Sequence, residues 1–119
     1  MKTGSKGERI AAALLIKQGY EIIKQNYRES WGELDIIARD KDKTVVFIEV
    51  KALNGGGWSG LKPEDHLTSD KLKRLRKLSS FYANNNPGII DKKKGWRIDL
   101  IALTIYDNYC DASHYKNIA

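Results

Sequence analysis

Asp35 and the triplet Glu49-Val50-Lys51 are the residues of this 119-residue chain whose types and spacing could do chemistry. Two carboxylates and an ammonium gathered at one point suit a hard divalent cation and a phosphate ester: oxygen ligands for the ion, positive charge for the ester. Mg²⁺ holds its oxygen ligands at about 2.0–2.1 Å, keeps several waters and lowers their pKa. Lys51 could position an attacking water or stabilise the extra negative charge of a pentavalent phosphate. Glu8, near the start of the chain, is a third acidic candidate.

These side chains can meet only if strands carry them. On a strand, alternate side chains share a face, so Glu49 and Lys51 point one way and Val50 the other. Glu33 to Ala38 and Thr44 to Lys51 are apolar runs separated by the turn-like Asp40-Lys41-Asp42-Lys43, a pattern that predicts a hairpin. A three-residue loop centred on Asp42 pairs Asp40 with Thr44 and places Asp35 across from Glu49. Opposed residues on one face have Cβ atoms about 4.5–5.5 Å apart, and like charges there repel unless a cation lies between them. A two-residue loop would shift the pairing and turn the two carboxylates to opposite faces.

Both faces of the hairpin are apolar, with Leu34, Ile36, Val46 and Ile48 expected on one side and Ile37, Val45 and Phe47 on the other. Such a sheet must be covered twice. One cover is a helix from about Lys6 to Gln18, with Ser5-Lys6-Gly7-Glu8 spaced as a capping box and Gly19 as its stop. The other follows Thr68 or Ser69, carries the stripe Leu72, Leu75, Leu78 and Tyr82, and stops at Asn84-Asn85-Asn86-Pro87-Gly88. Tyr20 to Arg28 reads as a first strand interrupted by Ser30-Trp31-Gly32, and Trp96 to Ile105 as a fourth. Asn54 to Gly60, with four glycines around Trp58, and Pro63 after it predict a loop. The sum is a single α/β domain, an α/β sandwich whose mixed sheet is antiparallel at the hairpin and parallel where the fourth strand returns.

Composition limits the alternatives. The chain is 41% hydrophobic and 30% charged, which argues for a folded, soluble protein. Its longest apolar runs fall far short of the roughly 20 residues a membrane span needs, and its start lacks a signal-peptide core. One cysteine, Cys110, allows neither an internal disulfide nor a cysteine zinc site, so the cytoplasm is the expected compartment. A formal net charge of +6 favours a polyanionic partner.

The pattern of Glu8, Asp35 and Glu49-Val50-Lys51 resembles that of the PD-(D/E)xK nuclease superfamily: an acid on a helix, an Asp on one strand and E-x-K on the next. Gly7-Glu8, Gly32-Glu33-Leu34-Asp35-Ile36-Ile37-Ala38, Phe47-Ile48-Glu49-Val50-Lys51, Lys71 to Leu75 and Arg97-Ile98-Asp99 resemble, in order and along most of the chain, the YraN-like family of small bacterial proteins. The resemblance implies a restriction-endonuclease-like α/β/α sandwich related to archaeal Holliday junction resolvases. DNA is then the implied substrate, branched DNA first, with Mg²⁺ as the ion (Mn²⁺ substituting) and a homodimer as the assembly. By position it implies Asp35 and Glu49 as metal ligands, Lys51 as the catalytic lysine and Glu8 as the helix carboxylate that completes the site. The superfamily often has proline before its Asp where this chain has Leu34.

Plainer readings stand beside these. Glu8 could be only the third residue of its capping box, Glu33 a solvated strand-start residue, and an E-x-K triplet a surface ion pair. Lys71, Lys73, Arg74, Arg76 and Lys77 make the second helix densely basic, a solvated face or a track for phosphates. Of these, Lys71, Arg74 and Lys77 are the nucleic-acid candidates, with Trp58 able to stack on a base or anchor its loop. Lys92, Lys93 and Lys94 are a further phosphate contact or an ordinary loop. His66 and His114 are too scattered for a zinc pair and read as surface residues, while Arg97 and Asp99 read as a buried ion pair. The rival function is a nucleic-acid-binding module on the same fold that cleaves little or nothing.

Overall fold

The computed structural model describes residues 3–55 and 67–119, with the side chains of the first helix described from Lys6 onward. Trp58, Pro63 and His66, with the expectations attached to them, lie outside the described residues. Helix α1 (Thr3–Lys17) is followed by strands β1 (Glu21–Glu29), β2 (Gly32–Arg39) and β3 (Val45–Asn54). Helix α2 (Ser69–Asn85), a short 3-10 turn (Pro87–Ile89), β4 (Trp96–Ile105) and β5 (Cys110–Tyr115) complete the order. The strands form one sheet in the order β1-β2-β3-β4-β5, antiparallel except where β4 returns parallel to β3 across α2.

The two-sided hydrophobic pattern of β2 and β3 explains the layering. Ile36, Ala38, Val46 and Ile48 pack with Ala11 and Leu15 of α1, while Ile37, Val45 and Phe47 pack with Leu75, Leu78 and Tyr82 of α2. Each helix thus covers one face, which is the α/β sandwich that the alternation demands. None of the described helices is long and apolar enough to cross a membrane.

Several local expectations are corrected. Helix α1 is already under way at Thr3, so Ser5 lies inside its first turn rather than at a cap, and Glu8 is not a capping-box residue. Leu34 packs with the α2 cluster, not with Ile36. Between the pairs Gln25–Ile36 and Tyr27–Leu34, Asn26 takes φ 55°, a left-handed conformation that Asn tolerates better than most residues. The side-chain alternation slips there, and Leu34 and Tyr27 both turn toward α2. A fifth strand, β5, pairs along β4 from Leu100–Tyr115 to Ile105–Cys110. Its sequence, Cys-Asp-Ala-Ser-His-Tyr, has little of the apolar alternation that marks a strand.

Other expectations hold in detail. Gly19 ends α1 with φ 94°, Thr68 caps α2 by accepting a hydrogen bond from the Lys71 amide, and β4 runs from Trp96 to Ile105. Gly7 has a positional role that the sequence does not disclose. A Cβ placed on it would lie 2.5 Å from the Cβ of Ala52 on β3. Glycine therefore lets the first turns of α1 lie against β3, which carries Glu8 toward the hairpin. Gly7→Ala gains about 1 kcal/mol in helix propensity but overpacks two backbone-anchored atoms, at about 1–3 kcal/mol. A net loss of about 1 kcal/mol is expected as a lowered urea midpoint. An unchanged or raised midpoint would show that α1 has room to shift.

Candidate active site

The hairpin register decides whether the two carboxylates meet. β2 pairs with β3 through Arg39–Val45, Ala38–Val46, Ile37–Phe47 and Ile36–Ile48. The turn is closed by the Asp40 amide donating to the Thr44 carbonyl at 2.8 Å, with the Asp42 carboxylate accepting from the Thr44 amide at 2.9 Å. This is the three-residue loop that the spacing around Asp42 predicts, and its register is the one that, continued by one pair, sets Asp35 opposite Glu49.

Beyond Ile36–Ile48 the backbone ladder stops. β2 continues along β1, through Leu34–Tyr27 and Glu33–Arg28, while β3 continues along β4 through Glu49–Leu100 and Lys51–Ala102. The sheet forks, and Asp35 stands in the fork. Its Oδ2 accepts a hydrogen bond from the Val50 amide at 2.7 Å, the donor that a strand neighbour would otherwise have satisfied. Asp35 is 6% exposed.

Asp35 stands between acids from two other elements, Glu49 and Glu8. The Asp35 carboxyl lies within interaction range of Glu49 of β3, and Glu8 of α1 within range of Asp35. Burial, then the hydrogen bond and negative charge of Glu49, push the Asp35 carboxyl up to about 8 against the opposing pull of the Val50 amide. Burial, then the charge of Asp35, raise Glu8 as well. Carboxylates packed this closely share protons unless a cation replaces them.

The donor set fits a particular kind of ion. Among the described residues, no three acidic, histidine or cysteine groups form a ready-made cage around one point. Mg²⁺ is habitually held by one or two carboxylates, with waters and substrate phosphates completing its octahedron. The Asp35–Glu49 pair is suited to that role, with Glu8 behind it. Glu33, by contrast, is exposed and pairs with Arg28 at 3.0 Å, which matches its plainer reading.

Glu49 and Lys51, with Val50 turned to the α1 cluster, line a cavity of about 290 Å³ between β3 and α2. Lys71 and Arg74 form its α2 wall, so cations face Glu49 and Glu33 across the opening, while Asp35 and Glu8 lie outside its lining. Lys77 stands outside this wall, its Nζ 5.5 Å from the centre of the Trp31 ring. Trp31, at the β1–β2 turn, also lines the cavity. In the sequence it stands as an interruption between strands, and a tryptophan immediately before the strand that bears Asp35 is the signal for its role.

On the α1 face of β4, the expected Arg97–Asp99 ion pair is present, at 3.0 Å, with Asp99 fully buried. His114 of β5 is not a surface residue: its Nε2 lies 2.7 Å from Asp99 Oδ2. Asp99 also accepts from the Asn117 amide, and Arg97 reaches Tyr20 Oη at 3.0 Å and Asp40 at 3.1 Å. Burial pushes the Asp99 carboxyl up, but the bonds from His114, Arg97 and Asn117 prevail and hold it below the usual range. The network ties β5 and the segment after it to the sheet and faces away from the cavity.

Comparison with known proteins places these features in a wider set. Residues 7–103 match the model of a family described as "Uncharacterised protein family UPF0102". The match includes Glu8, the β2–β3 hairpin, α2 and most of β4. A UPF0102 protein of Syntrophus aciditrophicus is 41% identical over 110 residues, covering 92% of this chain and 82% of its own. Those of Mycobacterium ulcerans and Mycobacterium tuberculosis are 37% and 36% identical, each across 88% of this chain and 83% and 79% of their own.

Proposed function

Because the chain belongs to the UPF0102 family, which is the YraN-like family its motifs resemble, we propose that it is a Mg²⁺-dependent endonuclease of the PD-(D/E)xK type. Its substrate in this reading is DNA, branched DNA first, met in the cytoplasm, and the homodimer implied by the same resemblance belongs to the proposal. The observation that carries it is the fork in the sheet, where Asp35 and Glu49 meet beside Lys51 and opposite a basic helix.

Each side chain has a distinct task. Asp35, fixed by the Val50 amide, and Glu49 present oxygens to the cation, and Glu8 supports them from α1. The ion supplies a lowered pKa for water and neutralises charge on the phosphate. Lys51 holds the attacking water in line with the leaving oxygen, or steadies the charge that develops on the phosphoryl oxygens. Lys71 and Arg74 orient the strand by its phosphates. As water attacks phosphorus it gives up one proton to solvent, the bond from phosphorus to the leaving oxygen breaks, and that oxygen takes up a proton from solvent.

A second reading is supported by the exposed basic side of α2: a module that binds nucleic acid and cleaves little or nothing. Incubation with duplex, single-stranded, flapped and four-way DNA separates the two. Cutting is expected in Mg²⁺ or Mn²⁺ and none in EDTA. Binding in both media with no cutting in either would favour the module.

A further inference from the structure

We propose that Trp31, backed by Phe81, is a platform on which an unpaired base of the bound strand stacks, so that the site takes DNA with an unpaired nucleotide beside the reacting phosphate. This rests on the nucleic-acid reading of the cavity and narrows its substrate.

Trp31 is 38% exposed, yet it lines the same cavity as Glu49 and Lys51. Phe81 of α2, 40% exposed, meets it edge-on, with ring centres 5.6 Å apart and planes at 86°. Neither ring belongs to the two core clusters among the described residues. The pair therefore spans the rim between the β1–β2 turn and α2, and braces the indole without submerging it. Edge-on contact fixes the plane of a ring, and a fixed, partly exposed indole is a surface against which a flat group can lie.

The charges around the indole identify the flat group. The Lys77 ammonium lies over the ring, 5.5 Å from its centre, so a base stacking on that face must displace it and meet its charge at the edge, and Lys71 and Arg74 line the cavity with the indole. A nucleotide carries a planar base and an anionic phosphate a few bonds apart, and so matches a ring flanked by cations at a site built for phosphate chemistry. In a fully paired duplex both faces of each base are covered by their neighbours. A ring on the cavity rim can reach only a base that has left the stack, at a flap, gap, bulge or branch point. If Trp31 only anchored its turn, its removal would affect paired and unpaired DNA alike.

The test measures binding of the full chain in EDTA to oligonucleotides of one length, fully paired or with an unpaired segment, for wild type, Trp31→Leu and Trp31→Phe. Wild type is expected to prefer the unpaired form by about tenfold or more. Trp31→Leu, which fills the space without a ring, should abolish that preference, and Trp31→Phe should retain most of it. A 2-aminopurine at the unpaired position should lose emission when wild type binds, a readout that depends on no variant. Absence of quenching, equal losses on both DNAs, or an intact preference in Trp31→Leu would overturn the platform. Cleavage in Mg²⁺ is followed in parallel. A preference that depends on Trp31 without cutting would overturn hydrolysis and leave stacking in place, whereas cutting with the preference unchanged in Trp31→Leu would do the reverse.

Discussion

Lys51→Met is expected to slow Mg²⁺-dependent DNA cleavage by about 10²–10³-fold while leaving DNA affinity within about threefold of wild type. Methionine keeps an unbranched stem beside Glu49 and removes only the ammonium, so the cavity wall stays filled. The loss should fall on the single-turnover rate at saturating protein, because the proposed contact matters most when negative charge builds on phosphorus. Lys71 and Arg74 remain on the α2 wall of the cavity, where the proposal has them hold phosphate in the ground state. Equal single-turnover rates for Lys51→Met and wild type would remove this lysine from the chemistry. A loss confined to affinity would make it one more phosphate contact.

Asp35→Asn should raise the stability of the metal-free protein at pH 8 by a few kcal/mol and abolish stabilisation by Mg²⁺. The sign follows from the raised Asp35 carboxyl, displaced from an ordinary 3.8 to about 8. Between those values the folded chain holds a proton that the unfolded chain has released, so stability falls as pH rises through that window and levels off on either side. Asparagine cannot ionise and offers an amide oxygen to the Val50 N–H, so the slope should flatten. Unfolding midpoints from pH 4 to pH 9, with and without Mg²⁺, provide the measurement. Parallel profiles for the two proteins would mean that Asp35 ionises without strain. Mg²⁺ stabilisation that survives in the variant would exclude it as a ligand.

Much of this arrangement is legible in sequence because it rests on short-range rules. Asp40 to Thr44 set the loop length, the loop length sets the register, and the register brings Asp35 to Glu49. Two-sided hydrophobicity in β2 and β3 requires a helix on each face, and both are present. What escaped depends on contacts between distant segments. His114 looks solvated because nothing local shows that Asp99 waits across β4. Leu34 follows the strand period on paper, yet it packs with the α2 cluster, opposite a stretch of β1 in which Asn26 takes a left-handed φ. Trp31 reads as punctuation until α2 folds beside it and supplies Phe81.

The parallel pairing of β3 with β4 bears on the order of assembly. β2 and β3 are joined by a tight turn, whereas Val45 can find Trp96 only after the whole α2 crossover has been looped back. Closure of a long loop is entropically slower than closure of a hairpin. A chain emerging into solution therefore brings its two carboxylates together early, and acquires the helix that shields them late. In that interval the repelling pair is open to water, and a dissolved divalent cation that bridged the two carboxylates would favour the paired hairpin.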